Sequence, residues 1–393
     1  MRVKIRNLAS AEMIGSVLLQ MEPLKAFALC VWSAVFFLGT AVSTGAQTSD
    51  SLVPCWRYSD PASASGGLIV DDSKVYLVTS DNRVLALDRN NGAVVWTSEL
   101  GGNIALPIRS LNSSIIVVSS TASPDAKPRT SFLRAISKNT GITNWVSTLP
   151  PASRYILSGD DRALYILAAG ASLSAVDPVN GSIKWIRDGN AFPDVDPHFG
   201  GNWFARMRGA KAIEVISLED WKVLGRFKLR HQPRVIASRG NESLVVGDSR
   251  GNLDLISLGS GSKGWSYKAG GAISHLQIRE DSVVVASADN FVYSISLSSG
   301  NVEWKRRMPG RVNSMGTLAD TKLVLTVVGE KTAYILDLSD GRFAGRVGLE
   351  GDQEFVGHPL AGDDRFVVAL TNRGVAAFSA SCPAQKAAGE PAA

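Results

Sequence analysis

Tryptophan recurs along this chain at a nearly constant spacing. Six of its nine tryptophans follow one another at steps of 40, 49, 40, 80 and 39 residues. Gly225 lies at the middle of the 80-residue step, and Gly345 lies 41 residues beyond the last tryptophan. The six repeat anchors are Trp56, Trp96, Trp145, Trp185, Trp265 and Trp304. A period near 40 residues with an aromatic anchor indicates a protein built from structural repeats that pack on one another.

Each repeat contains short stretches of strand-forming residues separated by turn residues. In the first repeat, these stretches are 74–79, 83–88 and 93–96. The turn before each tryptophan-bearing strand begins with Asp or Ser and carries glycine four residues later, except where Trp221 replaces the glycine. Four strands per 40 residues predict an all-β, eight-bladed β-propeller of four-stranded antiparallel blades. A solenoid is the alternative, but it needs polar caps at its ends, and the sequence shows none.

The count of strands predicts how the ring closes. After Gly345 only three strands remain, at about 354–360, 365–370 and 374–378. The missing fourth strand is 55–58, whose tryptophan lies 40 residues before Trp96. We therefore expect the last blade to combine three C-terminal strands with this N-terminal one, which leaves no half-built blade.

Two cysteines flank that shared blade. Cys55 begins the N-terminal strand and Cys382 follows the last C-terminal strand. In an exported protein, two cysteines indicate first a single disulfide, which would lock the ring. Lipidation of Cys55 is the alternative, but Pro54 precedes it and the apolar run of the N-terminus ends about a dozen residues earlier.

Residues 1–46 resemble a targeting segment in their composition. An apolar run over 26–42 follows basic residues, and the small residues Thr44 and Ala46 suit cleavage after Ala46. Translation starting at Met13 or Met21 and an uncleaved anchor helix are alternatives. We expect a periplasmic or secreted protein whose propeller spans 47–382 and whose tail, 383–393, is disordered. The net charge is +5, and it falls to +3 without residues 1–46, which carry four basic and two acidic residues. This mildly basic balance does not indicate nucleic acid binding, and we expect none.

The repeat resembles a known family. Val75-Tyr76, the turn at 81–82, the strand 84–88 and the segment 92–96 resemble the PQQ-like β-propeller repeat, and the likeness extends over about 55–380. In size, export and blade number, the chain resembles the BamB family, scaffold subunits of the machinery that inserts outer-membrane β-barrels. The resemblance implies a monomeric, non-catalytic protein-interaction scaffold with envelope protein partners, such as a barrel-assembly component, and peripheral membrane contact at most. BamB proteins are lipoproteins anchored through an N-terminal cysteine. This chain departs from that pattern, because the residues before Cys55 do not suit lipidation.

Enzymatic activity is the rival hypothesis. Quinone-dependent dehydrogenases share this repeat but are longer, pair two adjacent cysteines over the quinone and hold calcium in a carboxylate cluster. This chain has no adjacent cysteines, no zinc-ligand spacing and no nucleophile elbow. We therefore expect no catalytic residues, no cofactor and no metal. The acidic loop 188–198 is either a cation site or a solvated connection, and the histidines His198, His231, His275 and His358 are scattered over different repeats.

Two basic clusters provide the candidate interaction site. They follow the last strands of the fourth and sixth repeats, and connections between blades emerge on one face of a propeller. The candidate rim is Arg226, Lys228, Arg230, Arg234, Lys305, Arg306, Arg307 and Arg311. Such a rim suits an acidic protein, phosphate head groups or an anionic glycan. A sensor that binds a glycan or another ligand is therefore a third functional hypothesis. The alternative is solvating charge on exposed outer strands. The polar insertion 121–130 is a second candidate contact loop.

Overall fold

The structure is a computed structural model. Its described residues are 50–59, 64–121, 130–170, 172–188, 197–318, 321–363 and 366–382. The predicted signal segment, the predicted tail and residues 122–129 of the insertion lie outside them. No helix within these ranges is long and apolar enough to cross a membrane.

The described strands form eight sheets, which we number as blades along the chain. Before them come β1 (Asp50–Ser51) and β2 (Val53–Ser59). Blade 1 consists of β3 (Ala64–Val70), β4 (Lys74–Thr79), β5 (Arg83–Asp88) and β6 (Val94–Glu99). Blade 2 consists of β7 (Gly102–Leu111), β8 (Ser114–Thr121), β9 (Ser131–Ser137) and β10 (Thr143–Leu149). Blade 3 consists of β11 (Tyr155–Gly159), β12 (Leu164–Ala168), β13 (Ser172–Val176) and β14 (Ile183–Asp188).

The remaining blades repeat this arrangement. Blade 4 consists of β15 (His198–Phe199), β16 (Trp203–Met207), β17 (Ala212–Ser217) and β18 (Val223–Lys228). Blade 5 consists of β19 (Pro233–Arg239), β20 (Ser243–Asp248), β21 (Asn252–Ser257) and β22 (Lys263–Lys268). Blade 6 consists of β23 (Ile273–Arg279), β24 (Ser282–Ser287), β25 (Phe291–Ser296) and β26 (Val302–Arg307). Blade 7 consists of β27 (Val312–Leu318), β28 (Lys322–Val327), β29 (Thr332–Asp337) and β30 (Phe343–Gly348), and blade 8 contains β31 (Phe355–Gly362), β32 (Phe366–Thr371) and β33 (Gly374–Ser379).

Each blade is an antiparallel meander whose first strand faces the centre of the ring. The first strands of neighbouring blades, such as β3 and β7 or β27 and β31, contact one another. Because successive strands alternate in direction, the blade-to-blade connections share one end of the ring with the hairpins between second and third strands. We call that end the connection face. The opposite end, the turn face, carries the turns between first and second and between third and fourth strands.

The core lies between adjacent blades. In β4, Val75 and Leu77 pack toward blade 8 against Val368 and its neighbours, whereas Tyr76 and Val78 pack toward blade 2. Side chains of a strand alternate between the two faces of its sheet, so a strand buried on both faces must be apolar throughout. Each fully buried aliphatic side chain contributes roughly 1.5–3 kcal/mol relative to exposure.

Five of the six periodic tryptophans join their own blade to the next one through a shared kind of contact. The indole nitrogen of Trp304 donates to the carbonyl oxygen of Leu338 in blade 7 at 2.8 Å, and a Cβ on Gly341 would lie 2.4 Å from the Trp304 ring. Glycine therefore serves both the positive φ of the turn and the close approach of the indole. The same docking occurs at Trp56, Trp96, Trp145 and Trp265, which donate to Arg89, Lys138, Pro178 and Leu297 respectively.

The exceptions in the spacing have structural explanations. At Gly225 the ring of Phe227 occupies the space next to the glycine, and the corresponding turn of blade 5, at Gly261, has no side chain packed against it. Trp221 has a φ of 60° in the position that glycine holds elsewhere. Its ring meets Trp185 edge-on, with centroids 6.0 Å apart. An aromatic contact thus replaces the indole-on-glycine packing between blades 3 and 4.

The ring closes as predicted, by sharing blade 8 between the two termini. β2 pairs antiparallel with β33, with Trp56 opposite Ala377, and completes the sheet as its outer strand. The disulfide between Cys55 and Cys382 is present, with Cα atoms 5.2 Å apart. One strand is not predicted by the sequence: β1 pairs parallel with β30 at Gly345 and adds a fifth strand to blade 7.

Candidate functional site

Five of the eight candidate rim residues are exposed on or beside the connection face. Their side chains make no hydrogen bond or ion pair with the described part of the chain. Four of them lie at the end of the outer strand of blade 4 or 6 or in the connection that follows it, whereas Arg234 is the second residue of β19, the first strand of blade 5. The five residues are Lys228, Arg230, Arg234, Arg307 and Arg311. Their charges are therefore directed to solvent along blades 4, 5 and 6. We call this set the basic arc.

The other three candidate rim residues are engaged within the fold. Lys305 places its ammonium 4.0 Å from the centroid of the Phe291 ring. Arg306 donates to the carbonyl oxygen of Gly341 at 2.6 Å and so joins blade 6 to blade 7. Arg226 donates to Glu214 at 2.8 Å. These contacts give the three side chains structural roles, with less freedom to meet a partner.

Glu214 is the centre of a buried ionic cluster. Its side chain is 1% exposed and accepts hydrogen bonds from Arg206, Arg208 and Arg226, at distances of 2.8–3.2 Å. In the sheet register, Glu214 lies directly between Arg206 and Arg226 on the neighbouring strands. Burial raises the pKa of the Glu214 carboxyl, but the hydrogen bonds and charges of the arginines outweigh burial and leave this pKa below its ordinary value.

The other carboxylates near the basic arc also bond inward. Asp248 accepts from the backbone N–H groups of Arg250 and Asn252, both at 2.8 Å. Asp289 accepts from the Tyr293 hydroxyl at 2.6 Å and from the Gly270 N–H at 2.9 Å. These two acids bond inward, whereas the more numerous cations of the basic arc are exposed, so the exposed charge on this part of the connection face is mainly positive.

Two further cations extend the arc. Lys211 and Arg250 lie on hairpins between second and third strands, are exposed, and have no side-chain partner among the described residues. The sequence does not single them out, because neither lies within the two basic clusters that follow the last strands of the fourth and sixth repeats. Only the alternation of strand direction brings these hairpins to the same face as the connections.

A cavity of about 550 Å³ opens near the centre of the ring beside the arc. Arg154, His198, Arg234 and His275 line it, so two of the four scattered histidines meet here. His198 lies 2.7 Å from the Ser238 hydroxyl, and burial lowers the pKa of His198 to about 4. The imidazole is therefore neutral at pH 7, and the arginines supply the positive charge of this cavity.

Two of the predicted functional loops fall largely outside the described residues. Of the acidic loop 188–198, residues 189–196 lie outside the described residues, as does most of the insertion between β8 and β9. Within the described ranges, no three His, Cys, Asp or Glu side chains come together as metal ligands. The predictions of no metal, no cofactor and no catalytic residues stay predictions.

Together, the closed ring, the indole-on-glycine docking and the basic arc define an eight-bladed β-propeller of the PQQ-like repeat class with a positively charged connection face. The sequence model of the outer membrane protein assembly factor BamB matches residues 51–127 and 209–343, more than half of the chain. The chain belongs to this family. A search of curated proteins finds no match.

Solved structures with the same fold include both natural and designed propellers. BamB from Moraxella catarrhalis superposes with a TM-score of 0.59 at 14% identity, covering 83% of this chain and 99% of that one. The computationally designed Ika8 protein gives a TM-score of 0.66 at 14% identity, covering 83% and 99%. The C-terminal WD40 domain of Sif2 gives 0.66 at 12% identity, covering 84% and 98%. At these identities the likeness establishes the fold alone.

Proposed function

We propose that this protein is an exported, non-catalytic scaffold that binds an acidic segment of an envelope protein on its connection face and assists the assembly of outer-membrane proteins. The basic arc is the observation that carries the proposal. Family membership supports the assembly role, since the family is that of an outer membrane protein assembly factor. The Cys55–Cys382 disulfide supports residence in an oxidising compartment such as the periplasm.

The arrangement of charge favours a protein partner with clustered acidic side chains. Lys228 and Arg230 lie at the end of blade 4, and Arg307 and Arg311 lie at the end of blade 6. Blade 5, with Arg250, lies between them, so the cations are spread over three blades. A set of separate, unpaired cations is matched by several carboxylates on an extended segment. Guanidinium groups bind carboxylates through paired hydrogen bonds, which adds specificity to the attraction.

Affinity capture from an envelope extract tests this function. The wild-type protein should recover an outer-membrane assembly component. The double variant Arg230→Glu/Arg311→Glu should recover at least about tenfold less of this component. The reason is that repulsion replaces attraction at two exposed positions and slows association. Raising the ionic strength should weaken wild-type capture, since exposed charges are screened over about 10 Å at 0.1 M salt.

Charge reversal at the same number of exposed sites elsewhere provides the control. Arg342 and Lys222 lie on the turn face, and among the described residues they form ion pairs only with the exposed Asp340 and Asp220. The double variant Arg342→Glu/Lys222→Glu therefore changes the net charge by the same amount. This control should capture as well as the wild type. Capture without any assembly component would refute the assembly role, and equal capture by both double variants would refute the assignment of the face.

A further inference from the structure

A second cavity lies on the turn face, away from the basic arc. Its volume of about 630 Å³ falls within the range of about 300–1,000 Å³ typical of small-molecule sites. It is lined by the ends of the first strands of blades 2 and 3 and by turns of blades 3, 4 and 5. The side chains used below are Arg109, Arg162, Tyr165, Phe199, Asn202 and Asn241.

Arg109 supplies a half-buried positive charge to this cavity. Its guanidinium donates to the carbonyl oxygens of Leu157 at 3.3 Å and Gly159 at 2.9 Å, in the first strand of blade 3. It forms no ion pair with a described carboxylate, and its Nε is buried without a partner. Burial lowers the pKa of Arg109, and only the charge of Asp160 opposes this effect. A cation held in this state is stabilised when an anion binds beside it.

The second cation of the cavity is exposed. The side chain of Arg162 has no partner within the described residues. Asp160, the one carboxylate that lines the cavity, accepts from the backbone N–H groups of Arg162 at 2.9 Å and Ala163 at 3.3 Å. Asp160 offsets one of the two guanidinium charges, so the charged side chains that line the cavity carry a net charge of about one positive unit.

Neutral hydrogen-bonding groups surround the two arginines. The Tyr165 hydroxyl and the Asn202 side-chain amide have no partner within the described ranges, and Asn241 uses only its Oδ1, which accepts from the Asn202 N–H at 3.2 Å. Phe199 stacks on Tyr165 with centroids 6.1 Å apart and an interplanar angle of 13°, forming one apolar wall. Unpaired amides and a hydroxyl beside an aromatic wall suit a ligand that carries several hydroxyl groups.

We propose that this turn-face cavity binds a small polyhydroxylated anion, a sugar acid or a sugar phosphate. The anionic group would lie between Arg109 and Arg162, and the hydroxyl groups would bond to Tyr165, Asn202 and Asn241. Carboxylate and phosphate share the geometry that guanidinium recognises, and either would supply the missing counter-charge. This site is independent of the scaffold role, since it lies at the opposite end of the ring from the basic arc.

Isothermal titration of the full chain with four probes tests the site. Glucuronate and glucose 6-phosphate should bind, whereas glucose and inorganic phosphate should bind at least about tenfold more weakly, because each lacks one half of the recognition. The tighter of the two charged sugars identifies the anionic group. The exposed variant Arg162→Gln should weaken charged-sugar binding by about 10-fold to 100-fold, the loss expected for a charged hydrogen bond. Tyr165→Phe should weaken it by about 3-fold to 10-fold.

The control is Arg230→Gln, which removes one exposed arginine from the connection face and should leave sugar binding unchanged. Circular dichroism of each variant confirms that the fold is retained. Absence of binding by both charged sugars overturns the proposal, as does equal binding by the Arg162→Gln and Arg230→Gln variants. Inorganic phosphate binding as tightly as glucose 6-phosphate would overturn the assignment to a sugar ligand. None of these results depends on protein capture by the basic arc.

Discussion

The indole-on-glycine contact between blades leads to a quantitative prediction for Gly341→Ala. The new Cβ would lie 2.4 Å from Cε3 of Trp304, so the indole must move. Trp304 is 9% exposed and donates to the Leu338 carbonyl oxygen at 2.8 Å. Displacement therefore disturbs a well-buried aromatic side chain and its hydrogen bond together.

The cost can be divided into two parts. Alanine at a φ of +67° costs about 1–2 kcal/mol of backbone strain. Losing the indole hydrogen bond costs about 1 kcal/mol, and partial loss of the buried ring contacts costs roughly 1–2 kcal/mol more. We expect Gly341→Ala to lower the free energy of unfolding by about 3–5 kcal/mol.

Gly261→Ala is the matched control. Gly261 has the corresponding place in the turn of blade 5, with a φ of +64°, but nothing lies within 4 Å of an added Cβ because the preceding blade carries Gly225 in place of tryptophan. In this variant the backbone strain alone should lower the free energy of unfolding, by about 1–2 kcal/mol. With an unfolding entropy of about 2.1 cal/mol/K per residue, the melting temperature should fall by roughly 2 °C for Gly261→Ala and roughly 6 °C for Gly341→Ala.

Thermal unfolding followed by circular dichroism measures both variants under the same conditions. Tryptophan fluorescence reports separately whether the environment of the indole changes, and it should change only in Gly341→Ala. Equal losses of melting temperature in the two variants would refute the reasoning. In that case the turn conformation, and not the docked tryptophan, would explain the periodic glycine.

Two further predictions concern the closure and the ionic cluster. Cys382→Ser should lower the free energy of unfolding by up to roughly 6 kcal/mol in the chain-entropy description, since the disulfide joins residues 327 apart in the sequence. Non-reducing peptide mapping verifies the bond in the wild type. An unchanged melting temperature in the variant would contradict the stabilising role of the disulfide. Glu214 has a folded pKa below its ordinary value, so its contribution is present above about pH 4.5 and is lost as the pH falls through the folded pKa. Glu214→Gln should therefore cost about 2–3 kcal/mol at pH 7 and clearly less at pH 3 in urea unfolding, whereas a cost independent of pH would point to packing alone.

The sequence predicts the fold well because the repeat is enforced by local chemistry. Because five of the six indoles dock on a glycine of the next blade, the tryptophans recur about every 40 residues, and this spacing can be read from the sequence. The same spacing places Trp56 on the closing strand. Departures from the rule are harder to foresee. Trp221 has a positive φ and its ring contacts Trp185 and Phe204, and no local pattern in the sequence encodes these tertiary contacts. The two-residue β1 is too short to show any strand periodicity.

The candidate site is less predictable, because a sequence does not show whether a charged side chain points to solvent or to a partner inside the fold. Arg226 and Lys228 look alike in an exposed outer strand, yet only Arg226 reaches Glu214, a residue 12 positions away and on another strand. Arg109 and Arg162 show no pattern at all, because separate blades bring them to one cavity. What could have signalled the ionic cluster is Glu214 itself, a carboxylate within the apolar strand β17.

Closure by β2 also fixes the order in which the chain can finish folding. β2 is the second strand in the sequence, but its partner β33 is synthesised some 300 residues later. During that interval blade 8 cannot form, and Trp56 has only the turn of blade 1 to dock on. β2 must therefore remain available for pairing until β33 has been synthesised. A product that ends before β33 would lack the partner strand of β2, so its ring could not close.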